Sequence, residues 1–131
     1  MSGQTIAHGI DLVDFARIES MLREHDKRFL DRVFTKREQA DAESIRNRVE
    51  RLAGRFAAKE AVMKLIGTGW RAGVAWTDIE VTNGPLGEPK LEIRGEVLRL
   101  AREAGLGEIA LSITHTAEFA IASVVALRTV P

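Results

Sequence analysis

The chain has 131 residues, which suits one domain and leaves little room for a second. Its 19 basic and 19 acidic side chains balance, which argues against a general nucleic-acid binder, and the absence of cysteine excludes disulfides, thiolate catalysis and cysteine-ligated zinc. The start lacks the apolar run of a signal peptide, and no stretch approaches the ~20 apolar residues of a membrane span. We therefore expect one cytoplasmic domain over residues 1–131 that engages neither nucleic acid nor membrane.

A strand followed by short helical segments is predicted at the start of the chain. Residues 5–13 alternate in polarity, and one face of this strand would carry Ile6, His8, Ile10 and Leu12. Asp14 is a plausible N-cap for the short helix that follows. A further helical turn or two is indicated over residues 29–34.

The middle of the chain contains the clearest helix. Thr35 and Glu38 have the spacing of a capping box, so a helix is predicted to begin at Lys36. Over residues 49–66, apolar side chains recur every three or four positions, and Gly67 then provides a natural C-cap.

The second half of the chain predicts more strands than helices. Residues 77–82 and 90–94 alternate and flank a loop rich in turn residues, which indicates a hairpin. A helix is predicted over 96–104, a strand over 108–114, and a last strand over 119–127 that is apolar on both faces. Because there is no regular βαβ rhythm, we predict a small α+β domain whose antiparallel sheet packs on the long central helix.

Glu60 is an unusual residue, because it falls near the middle of the apolar stripe of the central helix. A carboxylate at such a position needs a partner. Lys64, one turn further on, is the ordinary partner, and a metal ion is the alternative. Spacing alone favours the ion pair.

Asp11 is the second unusual residue, since it lies in a strand that is otherwise apolar, and Gly9 on the same face is expected to leave open space beside it. Asp11 either caps the next helix, a role for which Asp14 is better placed, or acts as a metal ligand. Two carboxylates without a cysteine or histidine cluster suit a hard cation such as Mg²⁺.

Two further features have both a structural and a functional interpretation. His115 ends a predicted strand just before a turn, and its spacing does not distinguish a hydrogen-bonded turn histidine from a polar group at the mouth of a site. The loop of Gly67, Thr68 and Gly69 could bring its backbone close to a phosphate, although helix termination explains the glycines equally well.

Three blocks of sequence carry a resemblance to a known family. They are Gly9-Ile-Asp-Leu-Val13 with Arg17-Ile18, Arg55-Phe-Ala-Ala-Lys-Glu-Ala61 with Lys64 and the glycine loop, and Leu111-Ser-Ile-Thr-His-Thr116. In order and spacing, these blocks resemble the motifs of the holo-(acyl carrier protein) synthases, and they span nearly the whole chain. The resemblance implies the phosphopantetheinyl transferase fold.

The resemblance also implies a reaction: Mg²⁺-dependent transfer of the phosphopantetheine arm of coenzyme A to a serine of an acyl carrier protein, as in fatty acid biosynthesis. It implies that Asp11 and Glu60 hold the metal and that Glu60 and Lys64 are catalytic. The residues that it assigns to coenzyme A are Arg55, Lys64, Gly67, Thr68, Gly69 and His115, and Lys59 is a further candidate. The acceptor of the serine proton stays open between Glu60, a bound water and His115.

A basic segment is the predicted docking surface for the carrier. Residues 17–37 have a local charge of +3 in a chain with a formal net charge of zero, and acyl carrier proteins are acidic. The resemblance implies contacts from Arg17, Met21 and Arg28. The other basic residues considered, Arg23, Arg32 and Lys36, are expected to be ordinary solvated side chains.

The resemblance further implies a homotrimer with its active sites at subunit interfaces. The last strand provides a partial reason, because both of its faces are apolar and a chain of this size has few elements to cover them. A charge placed at Val124 or Ala122 is therefore expected to lower solubility or to yield an inactive monomer.

Two other functions remain as alternatives. One is a metal-dependent hydrolase that acts on the pyrophosphate of coenzyme A, but Glu50 and Glu60 lie on different faces of the central helix instead of clustering. The other is a non-catalytic module that binds an acidic carrier, against which stand the two predicted metal ligands with Lys64 beside them.

Overall fold

The predicted order of strands and helices is observed in the computed structural model, which describes residues 3–43, 46–71 and 73–130. The α+β fold is confirmed. None of the helices in these described ranges is long and apolar enough to cross a bilayer. The elements, in chain order, are β1 (Gly3–Asp14), α1 (Phe15–Val33), α2 (Lys36–Glu43), α3 (Arg48–Ile66), β2 (Ile79–Asn83), β3 (Pro89–Ile93), α4 (Gly95–Glu103), β4 (Ala110–His115) and β5 (Phe119–Val130).

The strands form a three-stranded antiparallel sheet in the order β1-β5-β4 and a separate β2-β3 hairpin. The central strand β5 pairs with β1 along its whole length, from Gly3 opposite Val130 to Asp14 opposite Phe119. This pairing explains why β5 extends three residues beyond its predicted end at Leu127, because the N-terminal residues of β1 supply backbone partners that periodicity does not reveal.

The central helix α3 packs on the inner face of this sheet, and Gly9 lets it approach closely. A Cβ at Gly9 would lie 2.1 Å from the Ala61 carbonyl oxygen on α3. The expectation of open space beside Asp11 is therefore wrong, because helix backbone fills that space. On β5, the inward residues Ala122 and Val124 are fully buried against the same helix.

The outer face of the sheet is apolar and exposed. Its large side chains include Ile6, Ile10, Leu12, Val125 and Leu127, which are 42% to 71% exposed. Burial of β5 on both faces is thus not observed within one chain.

A charge at Val124 or Ala122 would act on the core of the subunit, which differs from the expected effect on association. Both residues face α3, so a charge there would disrupt the core of the subunit, and the residues suited to test association lie on the outer face.

The first helical region is divided as the sequence predicted, but its N-terminal cap differs. α1 consists of two helical pieces that meet at a kink, with the non-helical residue Asp26, whose φ is 32°, between them. Asp14 occupies the N-cap position, but its side chain caps none of the backbone N–H groups of this described helix. The backbone N–H of Phe15 instead donates to the carbonyl of Glu118, at the start of the sheet.

A buried ion pair joins α2, α3 and β2. Lys59 and Glu38 have no exposed side-chain area, and Lys59 Nζ lies 2.9 Å from Glu38 Oε1. The capping box is confirmed, because the Thr35 backbone N–H donates to Glu38 and the Glu38 N–H donates to the Thr35 hydroxyl. Glu38 also accepts the backbone N–H of Val81 on β2. Burial lowers the pKa of Lys59, and the nearby Glu38 opposes that shift.

Candidate functional site

Lys64 joins the C-terminal half of α3 to β1. Its Nζ donates to Asp11 Oδ1 at 2.8 Å and to the Ile10 carbonyl at 3.1 Å. The contact is possible because Gly9 brings this turn of α3 against the strand. Asp11, with 15% of its side chain exposed, therefore lies beside Lys64, whose side chain remains 56% exposed.

Glu60 has a different partner from the one that its spacing favoured. The ion pair of Glu60 with Lys64 is not observed; Glu60 Oε2 instead accepts a hydrogen bond from Trp70 Nε1 at 3.2 Å. Gly67 and Gly69, with φ of 90° and 67°, turn the chain back after α3 and so bring Trp70 beside the helix. Such positive φ values are unfavourable for residues with a Cβ.

Several predicted site residues line one depression. It has a volume of about 300 Å³ and is lined by Glu60, Met63, Lys64, Gly67, Gly69 and Trp70. Thr68 is exposed in the same loop. The structure thus gathers Glu60, Lys64 and the glycine loop, with Asp11 attached through Lys64.

Asp11 and Glu60 are the carboxylates of this region that could hold a cation. Within the described residues there is no cluster of three or more histidine, aspartate or glutamate side chains that could hold a metal. Mg²⁺ does not need one, because it usually takes one or two carboxylates and completes its shell with water and phosphate oxygens. Asp11 and Glu60 lie on elements that pack against each other, and Lys64 pairs with Asp11, so this donor set fits a phosphate-associated Mg²⁺.

A second cluster of candidate functional side chains, separate from the depression, lies at the N-terminal half of α3. The guanidinium groups of Arg51 and Arg55 both donate to Asn83 Oδ1, at 3.2 and 3.1 Å. Arg55 is 4% exposed and lies 3.7 Å from Asp41. Burial, followed by the charge of Arg51, lowers the pKa of Arg55.

These residues border a cavity of about 260 Å³ that His115 and Glu50 also line. The Nε atoms of both arginines are buried without a hydrogen-bond partner among the described residues. Two adjacent cations in a partly enclosed cavity suit an anion. Sequence reasoning missed Arg51 and Asn83; the four-residue spacing of Arg51 and Arg55 was the available signal.

His115 belongs to this second cluster. Its Nδ1 lies 4.0 Å from Glu50 Oε2, and 57% of its side chain is exposed. Because an α-helix rises 1.5 Å per residue, Glu50 and Glu60 are about 15 Å apart along α3. His115 and Glu60 therefore lie toward opposite ends of the helix in one chain.

Lys59 lies away from both the depression at Glu60 and the second cluster at Arg55. Its ammonium is buried and donates to Glu38 and to the backbone carbonyls of Trp76 and Ile79. In this arrangement, Lys59 is part of the core and has no exposed surface to offer a ligand.

A basic, apolar-floored groove runs between α1 and α3. It has a volume of about 640 Å³ and its lining includes the predicted docking residues Arg17, Met21 and Arg28. The Arg17 guanidinium lies 4.9 Å from the centroid of the Phe56 ring, a cation–π contact. Arg32, expected to be an ordinary solvated residue, also lines the groove.

Comparisons with known proteins cover most of the chain. Residues 7–122 match the family model of the 4′-phosphopantetheinyl transferase superfamily. A holo-[acyl-carrier-protein] synthase of Solibacter usitatus is 46% identical over 120 residues, covering 92% of this chain and 96% of the relative. The corresponding synthase of Gloeobacter violaceus is 46% identical over 127 residues, covering 95% and 96%.

Solved structures are similar over the same extent. A holo-[acyl-carrier-protein] synthase from Neisseria meningitidis superposes with a TM-score of 0.82 at 32% identity, covering 92% of this chain and 96% of that one. A synthase from Bacillus anthracis in complex with CoA (3′,5′-ADP) gives a TM-score of 0.78 at 36% identity, covering 96% and 99%.

Proposed function

Because this chain belongs to the holo-[acyl-carrier-protein] synthases of the 4′-phosphopantetheinyl transferase superfamily, we propose that it transfers the phosphopantetheine moiety of coenzyme A to a serine of an apo acyl carrier protein. The observation that carries the proposal is the depression that holds Glu60, Lys64 and the glycine loop, with Asp11 beside it. A cytoplasmic location and a role in fatty acid biosynthesis are part of this proposal.

The site would use Mg²⁺ as its cofactor, held by Asp11 and Glu60. When bound, the cation would neutralise the pyrophosphate and stabilise the charge that develops on the leaving phosphate. Lys64 already contacts Asp11 and keeps an exposed ammonium, so it can place a positive charge on the same phosphates. The backbone of Gly67, Thr68 and Gly69 would approach the coenzyme beside it.

The transfer step follows from these groups. The serine oxygen of the carrier bonds to the pantetheine-side phosphorus, the bond from that phosphorus to the bridging oxygen breaks, and adenosine bisphosphate leaves with that oxygen. Glu60 is the proton acceptor that the geometry of one chain supports, because it lies in the depression whereas His115 lies near the other end of α3. A bound water beside Glu60 is the alternative acceptor.

Arg55 and His115 are proposed to bind phosphates of coenzyme A from the second cluster. Arg51 supports this role, because its guanidinium lies beside that of Arg55 on the same cavity. Their distance from Glu60 within one chain supports a shared site, in which one subunit supplies the Glu60 end and its neighbour supplies the Arg55 and His115 end.

The experiment that tests the function is incubation with coenzyme A, Mg²⁺ and an apo acyl carrier protein, followed by mass measurement of the carrier. Transfer adds a covalent phosphopantetheine to the carrier, whereas a coenzyme A hydrolase would produce free products only. A protein that neither binds nor consumes coenzyme A would be a binding module. The names of the relatives do not favour either alternative.

Charge reversal in the groove is expected to weaken carrier binding selectively. Arg17→Glu or Arg28→Glu should raise the KM for the carrier about tenfold or more while changing that for coenzyme A less than twofold, because these side chains line the groove away from the depression. Carrier affinity of the unmodified protein should also fall with added salt. Arg102→Glu on α4 is the matched control. Equal effects of Arg17→Glu on both substrates would contradict docking in the groove.

A homotrimer is proposed to cover the exposed outer sheet face of Ile6, Ile10, Leu12, Val125 and Leu127. A contiguous apolar surface of this kind is typical of a subunit interface, and cyclic closure would leave no copy of it open. The number three derives from the family resemblance.

Sedimentation should therefore give three times the 14.5 kDa chain mass. Leu127→Asp, on the outer face, should yield a folded but inactive monomer, because the charge cannot be buried between subunits. Val124→Asp, three positions away on the inner face, should instead unfold the subunit, as circular dichroism would show. A fully active species at the mass of one chain would rule out both the trimer and the shared site.

A further inference from the structure

Trp70 reaches Glu60 from outside the three sequence blocks that carry the family resemblance. Its indole Nε1 lies 3.2 Å from Glu60 Oε2 in a partly buried position. Glu60 Oε1 makes no hydrogen bond within the described part of the chain. One carboxylate oxygen is thus held by the indole while the other stays open to the depression.

The indole is itself held in place by a series of aromatic rings. Trp70 stacks on Trp76 with ring centroids 3.8 Å apart, and Trp76 stacks on Phe56 with centroids 5.0 Å apart. Phe56 is a core residue with 4% of its surface exposed. The donor to Glu60 therefore has a fixed position, although it lies on a loop.

The hydrogen bond from Trp70 replaces the ion pair with Lys64 that the helical spacing of Glu60 would allow. Lys64 lies one turn from Glu60 at the spacing that favours an ion pair on a helix. The structure instead directs Lys64 to Asp11 and Glu60 to Trp70. Trp70 therefore favours the orientation in which Glu60 remains separate from Lys64, with a free oxygen.

We propose that Trp70 is a positioning residue for Glu60: its indole N–H, held by the ring stack, keeps the carboxylate directed toward the Mg²⁺ that accompanies coenzyme A. This inference rests on the proposed function and concerns how its metal ligand is oriented. Groups that hydrogen bond to metal ligands commonly change metal affinity 10- to 100-fold when they are removed.

The test is a calorimetric titration of Mg²⁺ into the protein saturated with coenzyme A. Trp70→Phe keeps a ring that can stack but removes the N–H donor, and it should raise the Kd for Mg²⁺ about tenfold. Trp76→Phe is the matched control, since it keeps an aromatic ring that can stack on Trp70 and leaves the Trp70 N–H in place; its Kd should change less than twofold. The half-saturating Mg²⁺ concentration in the transfer assay should rise in parallel, while the KM for the carrier stays the same for Trp70→Phe.

A double-mutant cycle separates positioning from a general effect on the fold. In the Glu60→Gln background, where the metal ligand is already absent, Trp70→Phe should cause no further loss of Mg²⁺ affinity. An unchanged Kd in Trp70→Phe, an equal loss in Trp76→Phe, or a full additional loss in the Glu60→Gln background would each overturn the role of the indole N–H. Absence of Mg²⁺-dependent coenzyme A binding in the unmodified protein would instead refute the proposed function, and the inference with it.

Discussion

Glu60→Gln and Asp11→Asn are each expected to lower the rate of phosphopantetheine transfer by about 10³-fold or more. Each change removes a proposed ligand of Mg²⁺, whose stabilisation of the leaving phosphate is worth several kcal/mol, and about 4 kcal/mol corresponds to 10³-fold in rate. Glu60→Gln also removes the proposed proton acceptor. The rate is measured from the mass gain of the carrier at several Mg²⁺ concentrations.

The same variants should remain folded. In Glu60→Gln, the Trp70 indole can still donate to the amide oxygen, so thermal stability without Mg²⁺ should be nearly unchanged. Asp11→Asn loses a pair with the half-exposed Lys64, which is expected to cost at most about 1 kcal/mol. Glu103→Gln is the control for activity, because it makes the same change from carboxylate to amide at an exposed position on α4. Near-normal turnover of Glu60→Gln at limiting Mg²⁺ would remove this residue from the site.

Lys59→Met is expected to lower the free energy of unfolding by about 3–5 kcal/mol, the usual cost of removing one partner from a buried ion pair. The change leaves the Glu38 carboxylate fully buried without its cation and leaves the Trp76 and Ile79 carbonyls without their shared donor. Since small domains have only about 5–15 kcal/mol of stability, this loss is large. Urea unfolding measures it.

An exposed lysine provides the comparison for Lys59. Lys36, whose side chain is 84% exposed beside Asp31, should change stability by no more than about 0.5 kcal/mol when replaced with Met. The result also decides between a structural and a ligand-binding role for Lys59. If Lys59→Met kept normal stability but lost coenzyme A affinity, the contact with coenzyme phosphates would be favoured and the buried-pair interpretation would be wrong.

Local features of the sequence were sufficient to predict most elements of the fold. The capping box at Thr35 and Glu38 and the C-cap at Gly67 depend on residues close in sequence, and both are observed. The alternation of β1 depends only on the two-residue period of a strand, and it predicted correctly which of its side chains share a face. The three motif blocks were likewise sufficient to indicate the family.

The partners of the charged residues could be decided only by the tertiary structure. Helical spacing paired Glu60 with Lys64, but the close approach of α3 to β1 at Gly9 brings Lys64 to Asp11 instead. Lys59 looked available to a ligand because α2 and β2, which bury it, are distant in sequence.

The burial of the two faces of β5 was likewise decided only by the tertiary structure. Their composition is similarly apolar, so the sequence by itself predicted cover for both faces, while the docking of α3 decided which face is buried within the chain. Periodicity reports neighbours along one element, whereas burial and ion pairing depend on which elements meet in space, and that is set by long-range packing.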